Sequence, residues 1–172
     1  MGWEQLGADI DGEAAGDKSG YAVSLSADGM RLAVYAIYSN RAWHVRVWEW
    51  QATGWVQMGA DIDGEGSGYS SGYAISLSAD GSKLAVGAPW NGGHYGSNNG
   101  HVRVWAWSGT AWVQMGADIH GESRDDQSGW SVSLSSDGTR LAVGAPQNDA
   151  SGYQSGHVRV YEYAGSSGSS MK

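Results

Sequence analysis

The sequence predicts an all-β protein made of repeated four-stranded antiparallel units, and three observations carry that prediction. The first is repetition: WEQLGADI at 3–10 returns as WVQMGADI at 55–62 and 112–119, so the chain restarts after 52 and then 57 residues. The second is period-two patterning. In 71–89, Tyr73, Ile75 and Leu77 alternate with Ala74, Ser76 and Ser78 before Asp80-Gly81 turns the chain into Leu84-Ala85-Val86. The third is composition: 28 Gly, 2 Pro, 10 Trp, 9 Tyr and no Phe among 172 residues suit many short strands joined by tight turns.

Each element follows from its own pattern. The outer strand of the repeat is expected over 3–10, 55–62 and 112–119, with Val56, Met58, Ala60 and Ile62 on one face. Within 55–65 and 112–122, ten of eleven positions are identical. A Gly-Glu pair and five variable residues then lead into the first strand, at 20–26, 72–78 and 129–135. Its large residues (Tyr21, Val23, Leu25) oppose small ones (Ala22, Ser24, Ser26), the pairing that closely stacked sheets require. Asp-Gly at 28–29, 80–81 and 137–138 makes the next turn, because Asp caps its own turn and glycine tolerates positive φ. The second strand follows at 31–36, 83–88 and 140–145, and the third at 44–50, 101–107 and 157–163 (HVRVWEW, HVRVWAW, HVRVYEY). Valines take one face of that third strand. Arg46, Arg103 and Arg159 take the other, placed to stack on neighbouring rings.

Charge and motif content exclude several functions. Ten basic against 18 acidic residues give a net charge of −8, a sign that repels nucleic acid. No apolar run approaches the roughly 20 residues of a membrane helix, so no membrane partner is expected. The chain has no cysteine, hence no disulfide and no thiolate metal site. It also has no nucleophile elbow, phosphate loop or His-rich metal spacing, and its paired carboxylates recur in every repeat where an active site needs one asymmetric cluster. A non-enzymatic protein is expected.

The first outer strand, at Trp3, has no third strand before it, and the last third strand, ending at Tyr163, has no outer strand after it. Units of this kind are propeller blades, and a blade split between the two ends is a usual way to close a ring. Pairing of 3–10 with 157–163 is therefore expected, with Trp3, Leu6 and Ile10 meeting His157, Val158, Val160 and Tyr161. Propellers typically have four to eight blades, so three blades within 1–163 point to a head-to-tail homodimer that completes a six-bladed ring. Residues 164–172, AGSSGSSMK, read as a flexible tail.

SGYAISLSADGSKLAVGAP followed by GHVRVWAW resembles the FG-GAP repeat of integrin α-chain propellers; the SADG turn is also similar to that of WD-type propellers. The aromatic-glycine pair is Gly72-Tyr73 or Gly129-Trp130, and Gly-Ala-Pro stands at 87–89 and 144–146. The resemblance implies a propeller of extracellular type, although no signal-peptide pattern precedes Trp3. It also implies calcium in an Asp-rich loop. Here that loop is reduced to SADG or SSDG with one carboxylate each, Asp28, Asp80 and Asp137, too few for a cation that takes six to eight oxygens. The first repeat departs further, reading Tyr35-Ala36-Ile37 in place of Gly-Ala-Pro.

Function is expected on the loops of one ring face. Trp90, Asn91, His94, Tyr95, Asn98, Asp149 and Tyr153, with Tyr38 and Trp43 from the shortest loop, offer flat rings and amides suited to a sugar. Asp61, Asp63 and Glu65 are the weaker candidates, for calcium, since carboxylates at alternate positions share one side of a strand end. Otherwise no cofactor is expected. The readings left open are a binding scaffold, for glycan or protein, and a purely structural fragment, excised or engineered, whose role is self-assembly.

Overall fold

The computed structural model describes residues 1–37, 43–64, 73–92 and 98–165. Its strands fall into three antiparallel sheets laid side by side. The first blade runs β1 (Ala22–Leu25), β2 (Arg31–Ala36), β3 (His44–Gln51), β4 (Gly54–Gln57), with β5 (Ile62–Asp63) also on the outer edge of β3. The second repeats it as β6 (Ala74–Leu77), β7 (Lys83–Ala88) and β8 (His101–Trp107), with β9 (Trp112–Gln114) and β10 (Ile119–His120) on β8. The third has β11 (Ser131–Leu134), β12 (Arg140–Ala145) and β13 (His157–Glu162), and among the described residues β13 carries no outer strand. The all-β reading and the first three strands of each repeat match the sequence expectation.

The outer strand differs from it. It breaks into two short pieces in both complete blades, because Gly59 and Gly116 adopt φ of +74° and +73°, a conformation that interrupts a ladder. The Gln57 amide bridges the break, donating to the Gly59 carbonyl at 3.2 Å and to Asp61 Oδ1 at 2.7 Å. Alternation is lost with it: Met58 and Ile62 are buried, while Val56 and Ala60 face solvent. Residues 3–10 form no strand, yet Gln5 makes the same two bonds, to Gly7 at 3.2 Å and Asp9 at 2.8 Å. That segment lies against the first blade, where Trp55 Nε1 donates to the Leu6 carbonyl at 3.0 Å.

Blades join through two apolar seams. Val45, Val47, Met58 and Ile62 of the first blade pack with Ile75, Leu77, Leu84 and Val86 of the second. Ala85 and Val102 of the second pack with Leu141 and Val143 of the third, with Val104, Ile119, Val132 and Leu134 around them. The small faces of β1 and β6 serve as hydrogen-bond acceptors: Leu77 N–H donates to Ser24 Oγ at 2.9 Å, and Leu134 N–H to Ser76 Oγ at 3.0 Å. Near the Asp-Gly turns Ala27 N–H reaches the Ala79 carbonyl at 2.8 Å, and Ala79 N–H the Ser136 carbonyl at 2.9 Å. A cation clasps the following turn at each seam, Arg31 on the Asp80 carbonyl at 3.1 Å and Lys83 on that of Asp137.

The two outermost faces have no such neighbour among the described residues. Val158 and Val160 on β13 are 70% and 69% exposed, whereas their counterparts Val45 and Val47 are 0% and 2%. Tyr21, Val23 and Leu25 at the other end are also exposed, while Ile75 and Leu77 are buried.

Candidate functional site

On the loop face the aromatic-glycine positions converge. Tyr73 and Trp130, the leading aromatics of neighbouring first strands, lie 4.5 Å apart between ring centroids, and Trp90 packs edge-on to both at 5.3 and 5.5 Å. Tyr21 extends the group at 5.8 Å from Tyr73. Sequence reasoning found Trp90 and missed Tyr73 and Trp130, whose signal was their shared place before each first strand.

The remaining loop candidates divide. Tyr153 is 85% exposed. Asn98 Nδ2 donates to Asp125 Oδ1 at 3.1 Å, linking two loops, and Asn91 is half-buried with its carbonyl accepting from Gly100 N–H. Asp149 accepts Gln154 N–H at 2.6 Å and so shapes its own loop. Trp43 is only 3% exposed: it packs in the first seam beside Tyr35 and over Gly64, and offers no face to a ligand. Tyr35 fills the place of the glycine in Gly-Ala-Pro; full burial pushes its phenol well above the usual tyrosine range. Tyr38, His94 and Tyr95 lie outside the described residues. The loops entering the first strand contain buried Asp17 and Asp126, which accept Glu13 N–H at 2.8 Å and Glu122 N–H at 3.1 Å; both carboxylates fix loop shape.

Charge concentrates where the third strand of one blade meets the preceding outer segment. Arg46 donates to the Asp11 carbonyl at 2.8 Å and faces Glu13 at 3.5 Å. Arg159 repeats this with the His120 carbonyl at 3.0 Å and Glu122 at 3.0 Å. Arg103 turns instead to the outer strand of its own blade, making a two-pronged pair with Asp118, at 2.8 and 2.7 Å, which holds that carboxyl down at about 2. Stacking is as expected for Arg46 over Trp48, at 5.4 Å, and Arg159 over Tyr161, at 5.5 Å.

The expected carboxylate trio does not assemble. Glu65 lies outside the described residues, Asp63 pairs in register with His44, and the break at Gly59 turns Asp61 toward Gln57. Asp61 instead meets Glu13 and His44, their ligand atoms all within 4.8 Å of one another. One imidazole and two carboxylates suit a borderline cation rather than calcium, though the Arg46 guanidinium already supplies a positive charge beside Glu13. At the Asp-Gly turns the single carboxylates are consumed locally. Asp80 accepts Ser78 Oγ at 2.6 Å and Ser82 N–H at 2.9 Å, and Asp137 accepts Ser135 Oγ and Thr139 N–H at 2.6 and 3.0 Å. These bonds, led by the serine hydroxyls, lower both carboxyls to about 2.

A cavity of about 250 Å³ opens between the second and third blades, lined by Val104, Met115, Gly116, Leu134, Tyr161 and Tyr163 among others. It lies beside the edge of β13 that carries no outer strand among the described residues.

Residues 121–161 match the FG-GAP repeat. The periplasmic gluconolactonase of Pseudomonas aeruginosa superimposes with a TM-score of 0.54 at 17% identity, over 83% of this chain and 39% of that one. A putative 6-phosphogluconolactonase from Bacteroides fragilis gives 0.52 at 13%, over 82% and 34%. TolB from Acinetobacter baumannii gives 0.51 at 13%, over 87% and 31%. The chain thus spans between about a third and two-fifths of the length of these structures. No curated protein matches it in sequence. The match to the FG-GAP repeat is confined to 121–161, and the chain around it has the β-propeller fold.

Proposed function

We propose that the chain is a non-enzymatic propeller scaffold that closes its ring by pairing head to tail with a second copy. The observation that carries this is the contrast along one repeated position: valines buried at Val45, Val47 and Val102 are exposed at Val158 and Val160, and so are Val23 and Leu25 at the opposite end. The two exposed faces are repeat copies of faces that already fit each other twice within the chain. Closure extends the observed registers. Trp50 pairs with Trp55 and Trp107 with Trp112, so Tyr163 takes Trp3; Val45 pairs with Ile62 and Val102 with Ile119, so Val158 takes Ile10. The turn-side contacts extend likewise, Ser136 N–H to the partner copy's first Asp-Gly turn and Arg140 to the carbonyl of Asp28 there. Burial of four or more large aliphatic side chains per interface, at about 1.5–3 kcal/mol each, outweighs the association cost. Light scattering on the eluting protein tests it: the expected mass is twice 18.1 kDa, and 18.1 kDa at every concentration refutes it.

A second reading concerns what the ring carries. The group formed by Trp90, Tyr73, Trp130 and Tyr21 supports binding of a glycan through its C–H faces, with Asn91, Asn98, Asp149 and the exposed Tyr153 as the further loop candidates. A glycan array probed with the wild type and Trp90→Ala decides it: binders lost in the variant support the reading, and an array without binders leaves self-assembly as the role.

A further inference from the structure

We propose that the cavity between the second and third blades is a seat for the indole of Trp3 from a second copy. The inference rests on ring closure and names its recognition element. The chain contains two other copies of this seat, and both hold a tryptophan. At the first-to-second seam Trp112 Nε1 donates to the Met58 carbonyl at 3.0 Å, with Trp107 beside it at 5.5 Å and over Gly59. At the start of the chain Trp55 Nε1 donates to the Leu6 carbonyl at 3.0 Å, with Trp50 at 5.4 Å and over Gly7. The third seat is built from the same parts: Met115 and Gly116 stand where Met58 and Gly59 stand, and Tyr163 replaces Trp107. Around Gly116, however, no group of the described residues comes within 4 Å of the Cβ position, where Trp50 and Trp107 approach to 2.7 and 2.8 Å at the other two glycines.

The side chain that repeats Trp55 and Trp112 is Trp3, and it is fully solvent-exposed. The volume accommodates it, since a cavity of about 150 Å³ already holds benzene and this one is about 250 Å³. The chain's own segment is held at the first blade through Leu6 and Trp55, which leaves its Trp3 side chain exposed and available to a neighbour. The second copy's Trp3 enters alongside β13, its indole N–H meeting the Met115 carbonyl and its ring packing on Tyr163. The same segment would then be used twice, its Leu6 carbonyl receiving Trp55 of its own chain and its indole filling the neighbour's rim. Gln5 already holds that segment in the bent form of its two counterparts, which lowers the ordering cost.

The test is sedimentation equilibrium of wild type, Trp3→Ala and Trp3→Phe, with circular dichroism confirming that each chain keeps its strands; Trp3 is fully exposed in the single chain, so folding is expected to survive. The expected result is a dimeric wild type whose dissociation constant rises at least a hundred-fold in Trp3→Ala and less in Trp3→Phe, which keeps a ring but loses the N–H donor. A dimeric wild type with an equally tight Trp3→Ala overturns the seat and leaves ring closure standing. A wild type that stays monomeric overturns both. As a separate readout, 5-fluorotryptophan at Trp3, assigned by its loss in Trp3→Phe, should shift on dilution from a buried to a solvent-exposed fluorine signal; an invariant signal counts against the seat.

Discussion

Val47 and Val160 occupy the same position of the repeat, pairing with Ala33 and Ala142 respectively, and their environments in the single chain are opposite. Val47 is 2% exposed within the first seam, and Val160 is 69% exposed on the free face of β13. Truncation to alanine removes two methyl groups. For Val47 the transfer loss is about 1.6 kcal/mol at about 0.8 per carbon, and the residual cavity raises it to about 2–3 kcal/mol. For a chain of this size that is a fall of about 5–10 °C in Tm. An exposed valine should cost no more than about 0.5 kcal/mol. The contrast makes Val160→Ala a reporter of closure. In thermal unfolding of dilute protein, below the assembly midpoint, it should leave Tm unchanged while Val47→Ala lowers it. In concentrated protein, where the ring is closed, Val160→Ala should cost as much as Val47→Ala. A Val160→Ala variant that stays neutral in concentrated protein would refute the argument that β13 carries a buried face.

Further expectations follow from single contacts. A Cβ at Gly87 would collide with the backbone carbonyl of Gly129, whereas the close contact of one at Gly144 is with the rotatable Ser131 Oγ. In dilute protein, where the ring is open, Gly87→Ala should therefore destabilise by about 1–3 kcal/mol in urea unfolding by overpacking the second seam, and Gly144→Ala by clearly less; equal costs there would contradict the seam geometry. Asp118 has its folded-state pKa lowered to about 2 from 3.8, chiefly by Arg103, so its stabilising effect is fully present above pH 4 and disappears as pH falls through about 2. Asp118→Asn should lower the urea midpoint at pH 6 and converge with wild type near pH 2; an equal deficit at both pH values would show that the ion pair does not set it. Zinc titration followed by Tm tests the Glu13, His44 and Asp61 group: a rise abolished by His44→Ala would make it a metal site, and an unchanged Tm the ion-pair cluster that Arg46 suggests.

Much of the blade was legible because strand patterning and turn chemistry are local. The second strands at 31–36, 83–88 and 140–145 and the Asp-Gly turns depend on residues within a few positions of each other, and they form as read. The break at Gly59 and Gly116 was not legible, since alternation in WVQMGADI continues straight through glycines whose positive φ is set by the Gln57 and Gln114 amide bridges. Site residues were less legible because they are assembled across blades. Trp43 looks like a loop aromatic but is drawn against Gly64 into the core, and Trp90 finds its partners in Tyr73, at the head of its own blade, and Trp130, at the head of the next. The rim cavity has no sequence signature. It becomes readable only when the two filled seats at Leu6 and Met58 are compared with the open one at Met115.

The central claim, that residues 3–10 of one copy complete the last blade of another, can be measured directly because the chain has no cysteine. Ile10→Cys with Val158→Cys places one thiol on each side of the register that Val45–Ile62 and Val102–Ile119 define within the chain. Under mild oxidation the double variant is predicted to run on non-reducing gels as a covalent dimer, at yields that neither single variant reaches. A double variant that remains at the monomer position, in protein at the same concentration, would contradict the account.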